Sequence, residues 1–227
     1  MMSQALSIAR KDIKTEFRTK EMIFSMFVFS LMIMAAFYFA FNFYDLSSEK
    51  LDPLVSPILW ITFCFAGMFG LLSSFSKEKD RGSLDGLMLC PMERSAIYFG
   101  KLISNYFLIL LVDISSLILF SAFFRFEYHG NTIPIFVVVL LGSFCFVISG
   151  TLVSGIAVNS QSIRGVLIPI LLIPVILLTV LMPAVNATSK ALEGDIIDAI
   201  PELRTLGMFA VIYIAVAYLL FEYVLEE

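Results

Sequence analysis

Residues 22–44 carry no charged side chain over 23 consecutive positions. That run dictates most of what the chain can become. A helix rises 1.5 Å per residue, so such a run reaches about 35 Å. The hydrocarbon core of a bilayer is about 30 Å thick, so the run can cross it with some tilt. Inside lipid every backbone N–H and C=O has to be satisfied within the segment, which selects the α-helix. Further apolar runs follow at about 54–76, 97–124, 133–158, 165–185 and 205–223. Hydrophobic residues make up 59% of the chain and charged ones 15%, with a mean hydropathy of +0.94. Soluble domains hold about 45–50% apolar and about 25% charged residues. The fold class expected is therefore an all-α integral membrane protein with six transmembrane helices, forming a single transmembrane domain over residues 1–227.

The segments between these runs have their own patterns. In residues 1–21, Leu6, Ala9, Ile13 and Phe17 recur at helical spacing, and Arg10, Lys11, Lys14 and Arg18 lie mostly off that stripe. This is the pattern of an amphipathic helix in the headgroup region. The run after it is too long for a signal-peptide core, so no cleavable leader is expected. Ala66, Gly70 and Ser74 in the second run fall four residues apart, a face on which another helix can approach closely in lipid. They are a candidate packing or dimer face, and Gly142, Gly150 and Ser154 repeat the pattern in the fourth run. The fifth run holds Pro169, Pro174 and Pro183, which predict a kinked or broken helix. In residues 188–204, Ile196, Ile197, Ile200 and Leu203 form a stripe beside Glu193, Asp195, Asp198 and Glu202. This predicts a short acidic interfacial helix outside the membrane, broken at Pro201.

Orientation follows from basic residues. Eleven of the 15 Lys and Arg fall in the N-terminal segment, the loop between the second and third runs, and the turn at Arg164. Lys50, Arg125, Lys190 and Arg204 fall on the other side. The positive-inside rule places the first set, and with it both termini, in the cytoplasm. A net charge of −4 gives no reason to expect a nucleic-acid partner.

Motifs for catalysis are missing. No phosphate loop is present, since Gly100-Lys101 is followed by Leu and lacks the upstream glycine. Cys64, Cys90 and Cys145 form neither CxxC nor a zinc spacing, and no metal site is expected. The chain is expected to be non-catalytic, and any work it does requires an energy source in a partner.

The longest charged stretch, residues 77–96, is a candidate coupling loop. Leu84, Leu87 and Met88 make a small apolar knob at i, i+3 and i+4. Glu78, Asp80, Arg81 and Asp85 surround it, Ser83 can cap the helix start, and Pro91 ends it. Such a cytoplasmic helix suits docking in a groove on a soluble partner. Periodicity alone leaves open a loop helix that merely lies at the bilayer edge.

The pattern Glu78, Gly82, Ser83, Leu84, Asp85, Leu87, Pro91 resembles the signature of ABC exporter permeases of the second type, the drug and polysaccharide exporter superfamily. Within it the chain is most similar to the haem exporter B permeases of cytochrome c maturation. Pro57-Ile-Leu-Trp60, Gly100-Lys101-Leu102 and Arg164-Gly165-Val166-Leu167 running on to Pro174 carry that likeness, together with the length and the six spans. The resemblance implies that residues 77–96 are the coupling helix between spans 2 and 3, docking on an ATP-hydrolysing subunit. It further implies a homodimer in the bacterial inner membrane, joined by two ATPase subunits and further membrane haem-handling subunits. ATP is then used by the partner, haem is the cargo delivered to a periplasmic chaperone, and this chain holds no cofactor of its own. Two readings remain beside it: an ABC-type permease for another cargo, and a scaffold that passes no substrate.

Asp113 lies near the middle of the third run, where an ionisable group costs about 2.5–3.5 kcal/mol on insertion scales. It is either a functional intramembrane group, with Asn105 near the same face, or a protonated carboxyl held by a neighbouring helix. His129 is the only histidine, and it is a weak candidate haem ligand in an outside loop.

Overall fold

The structure is a computed structural model, which describes residues 2–43, 48–80, 94–124, 133–157, 176–192 and 196–224. The described residues form seven α-helices and one π-helical turn. The helices are α1 (Met2–Thr19), α2 (Glu21–Phe43), α3 (Ser48–Asp80), α4 (Arg94–Phe124), α5 (Ile133–Ala157), α6 (Met182–Leu192) and α7 (Ile196–Val224). Five helical stretches are long and apolar enough to cross a membrane: Glu21–Phe43, Pro53–Ser74, Ser95–Phe124, Ile133–Ser154 and Ile197–Leu219. Most of the fifth expected span, 165–185, lies outside the described residues.

α3, α4 and α5 form the centre. Trp60, Tyr98, Phe120, Leu71 and Ile148 are buried among them. α3 and α5 run in the same direction: built-on Cβ atoms at Gly142, Gly150 and on the facing Gly67 would strike Trp60, Leu71 and Phe146 respectively. α4 runs opposite to α5. Tyr98 and Tyr106, eight residues apart, donate to the carbonyls of Ile148 and Leu140 at 3.1 Å each, which step back by the same eight. α2 and α7 lie outside this centre and expose apolar rows. Phe24, Met32, Phe39, Met208, Val211 and Leu219 are all more than half exposed, as expected of faces turned to lipid.

α1 joins α2 through Lys20, whose φ is 56°. Its N–H donates to the Glu16 carbonyl at 2.6 Å, and its own carbonyl accepts from Phe24 N–H at 2.9 Å. Lys20 thus ends one helix and begins the next. A left-handed lysine costs roughly 1–2 kcal/mol that glycine does not incur. Lys20→Gly is expected to raise the thermal midpoint of the detergent-solubilised chain slightly, and Lys20→Val to lower it.

α1 exposes Leu6 and Phe17 of its apolar stripe, 63% and 45%, and buries Ala5, Ile8, Ala9 and Glu16. One expectation about the outer segments is corrected. The residues 188–204 do not form one separate helix broken at Pro201. Thr188 belongs to α6, and α7 runs unbroken through Pro201. Pro201 is the sixth residue of α7, so it removes one intrahelical bond, that to the Ile197 carbonyl, without ending the helix. Along α7, Ile197 and Ile200 are exposed, while Ala199, Leu206 and Ala210 are buried. The expected distortion near Pro183 does occur, as a π-helical turn at Leu177–Leu181 immediately before it. A wider turn relieves the clash of a proline ring with the preceding turn. Tyr213 of α7 reaches back to that turn, donating to Thr179 Oγ1 at 3.0 Å.

Candidate functional site

The sequence points to two places, the loop after the second span and the polar centre of the third. α3 continues helically to Asp80 and α4 begins at Arg94. Glu78 therefore stands in the last turn of α3. Arg81, Gly82, Ser83, Leu84, Asp85, Leu87, Met88 and Pro91 lie outside the described residues, as does His129. The two helices bracketing that loop are both core elements, so anything that moves the loop acts on the packed centre.

One end of this frame is built from α1. A Cβ on Gly100 would come within 2.8 Å of Ile8 Cβ and 3.0 Å of the Ala5 carbonyl oxygen. Glycine at position 100 is thus what lets α1 lie against the first turns of α4. One residue on, Lys101 Nζ is 2.9 Å from Asp12 Oδ2, with the lysine side chain 3% exposed. Asp12 Oδ2 has no hydrogen-bond donor of good geometry, so this contact is a charge pair rather than a directed bond. Glu16 Oε1 accepts from the backbone N–H groups of Met22 and Ile23, capping α2. α1 is therefore tied to the starts of both α2 and α4. Hence the N-terminal basic residues and the α4 end of the 77–101 segment lie at one end of the bundle.

The centre of α4 is polar on the side facing α5. Asp113 is buried, and its Oδ2 accepts from Ser143 Oγ at 2.6 Å. About two turns away, Asn105 Nδ2 reaches Thr151 Oγ1 at 3.5 Å, a long contact. Asp113 and Asn105 thus face α5 in one antiparallel ladder, and both polar groups find partners on a neighbouring helix. On another side of α4, Ser116 Oγ donates to Ser30 Oγ of α2 at 3.1 Å. Among the described residues no group of His, Cys, Asp and Glu is arranged to hold a metal. Removing one partner of a buried hydrogen bond costs about 1–3 kcal/mol. Asp113→Ala is expected to lower the unfolding free energy in detergent by about that much, and Asp113→Asn, which keeps an acceptor, by less.

Of the small-residue face, Ala66 and Gly70 are buried within the chain. Gly70 lies under Met22 and Met26 of α2. Ser74 is half-buried.

Several organising contacts were not read from the sequence. The single tryptophan, Trp60, donates from Nε1 to Thr188 Oγ1 at 2.7 Å, joining α3 to α6. Lys190 Nζ meets Glu202 Oε1 at 2.7 Å and ties α6 to α7. A buried indole always calls for an acceptor, but nothing in the sequence names Thr188 among many hydroxyls.

Known proteins add one finding. A family model described as "CcmB protein" matches residues 3–226. A comparison with curated proteins returned no match.

Proposed function

We propose that this chain, which belongs to the CcmB protein family, is the permease subunit through which a separate ATPase drives haem export and delivery. The family match over nearly the whole chain carries this reading. It supports a multi-pass membrane subunit of a haem-export ABC transporter that does no catalysis of its own. The arrangement of helices fits that role. The 81–93 segment joins two central helices, and α1 is tied to the starts of α2 and α4 at the α4 end of that segment. In this proposal the knob of Leu84, Leu87 and Met88, ringed by Glu78, Arg81 and Asp85, docks in a groove of the ATP-binding subunit. Gly82 and Ser83 start the docking helix and Pro91 stops it. Two copies of the chain work with two ATPase subunits and further haem-handling membrane subunits. The chain sits in the bacterial inner membrane with both termini in the cytoplasm. Haem is cargo here, and ATP is consumed in the partner.

The test is a charged knob. Leu84→Asp, alone and with Leu87→Asp, is expected to leave membrane insertion unchanged and to abolish the dependence of partner ATP hydrolysis on this chain. A scaffold would instead lose co-purifying partners with no coupled change in ATPase rate. A chain whose ATPase coupling and partners both survive the charge would remove the knob from the mechanism.

A further inference from the structure

α1 presents three different faces. Its buried row, Ala5, Ile8, Ala9 and Glu16, lies toward α4 and α2. Turned aside from it at 3.6 residues per turn, Met2, Leu6 and Phe17 form an apolar row that is 72%, 63% and 45% exposed. Beyond that row come Arg10, Lys14 and Arg18, all exposed. These three make no ion pair among the described residues. Both acidic residues of α1 are turned inward: Asp12 pairs with Lys101, and Glu16 caps α2. The outward surface of α1 is consequently positive and apolar with no carboxylate in it.

The position of that surface narrows what covers it. α1 lies beside Gly100, Lys101 and Phe107, the first turns of a stretch apolar enough to cross a membrane. The Phe17 ring is 6.4 Å from that of Phe107, which is itself 46% exposed. The apolar row of α1 thus continues into the outward face of α4, along with Leu111 and Ile118. A helix at that depth, with an apolar row beside a basic one, matches the boundary between acyl chains and charged headgroups. Lys and Arg near an anionic surface add to that attraction.

We propose that the exposed side of α1 is a docking surface for anionic phospholipid, with Arg10, Lys14 and Arg18 on the headgroups and Leu6 and Phe17 in the acyl boundary. Because α1 is tied to α2 and α4, bound lipid steadies the start of both helices. This inference is independent of the cargo and of which side of the membrane α1 occupies.

The experiment places a photo-crosslinking benzoylphenylalanine at Leu6, and separately at Phe17, in the full chain. Each variant is reconstituted in nanodiscs of phosphatidylcholine with a minority of phosphatidylglycerol. Mass spectrometry then identifies each adduct. We expect single-phospholipid adducts at both positions, with phosphatidylglycerol enriched at least about twofold over its share of the bilayer. High salt is expected to erase that enrichment. Replacing Arg10, Lys14 and Arg18 with glutamine is expected to return the adducts to bulk composition. Adducts to a second copy of the chain, lipid adducts at bulk composition in the otherwise wild-type chain, or no lipid adduct at all would each overturn the proposal. The wild-type composition decides the matter even if the triple variant folds poorly.

Discussion

Gly142→Leu is expected to destabilise the chain more than any other single change considered, by about 3 kcal/mol. A Cβ at this position already meets the six-membered ring of Trp60, which is buried and pinned by its bond to Thr188. The ring cannot swing away as a flexible methionine would. Accommodating the new side chain means breaking the indole–threonine bond, worth about 1 kcal/mol net, and spreading α3 from α5. Overpacking of this kind costs typically 1–3 kcal/mol. Gly207 supplies the contrast. A Cβ there meets nothing within 4 Å in this chain. Gly207→Ala is therefore expected to gain about 0.5–1 kcal/mol from helix propensity alone. Thermal unfolding followed by circular dichroism in one detergent compares the two. A loss at Gly207 matching that at Gly142 would show that glycine is required in these helices for reasons other than the Trp60 contact.

Lys101→Met carries the second large effect. It removes the cation 2.9 Å from Asp12 Oδ2 and, among the described residues, leaves that carboxylate Lys11, at 3.1 Å from Oδ1, as its ion-pair partner. Breaking a buried pair by deleting one member costs about 3–5 kcal/mol. The Asp12 side chain is 13% exposed and keeps Lys11, so about 1–3 kcal/mol is expected, concentrated on the docking of α1. Limited proteolysis should then cut within residues 2–19 while the span helices stay protected. Lys101→Arg is expected to preserve the resistance of α1. If the Met variant keeps α1 as protected as wild type, the Ile8–Gly100 contact and the Glu16 cap on α2 hold the helix without the charge pair.

Span positions were legible in the sequence because lipid makes length and the absence of charge decisive. The runs at 22–44, 97–124 and 133–158 correspond to α2, α4 and α5 within a few residues. Facing was harder to read. The stripes that the sequence shows do not say which residues pack inward: Leu6, Phe17, Ile197 and Ile200 are exposed, while Ala5, Ile8, Ala9, Ala199, Leu206 and Ala210 are buried. A hydrophobic pattern cannot distinguish the two, because lipid accepts large apolar side chains as readily as a core does. Asp113 was legible as a group requiring a partner, since charge at that depth is costly. Ser143 as that partner was not, because serine is frequent in these helices and only the packing selects one. Pro201 misled because a proline inside a helix removes one bond and strains the preceding turn, and α7 runs on through that loss in its second turn. Gly100 and Lys101 were legible as part of a family pattern without a reason, and α1 supplies the reason for both.

The proposed role in haem delivery through the coupling loop is read from the level of covalently haem-bearing c-type cytochromes in a strain lacking the chain, restored with wild type or with Leu84→Asp/Leu87→Asp. The cytochromes are expected to disappear without the chain, return with wild type, and stay absent with the charged knob. Normal cytochrome maturation in the strain lacking the chain would contradict it.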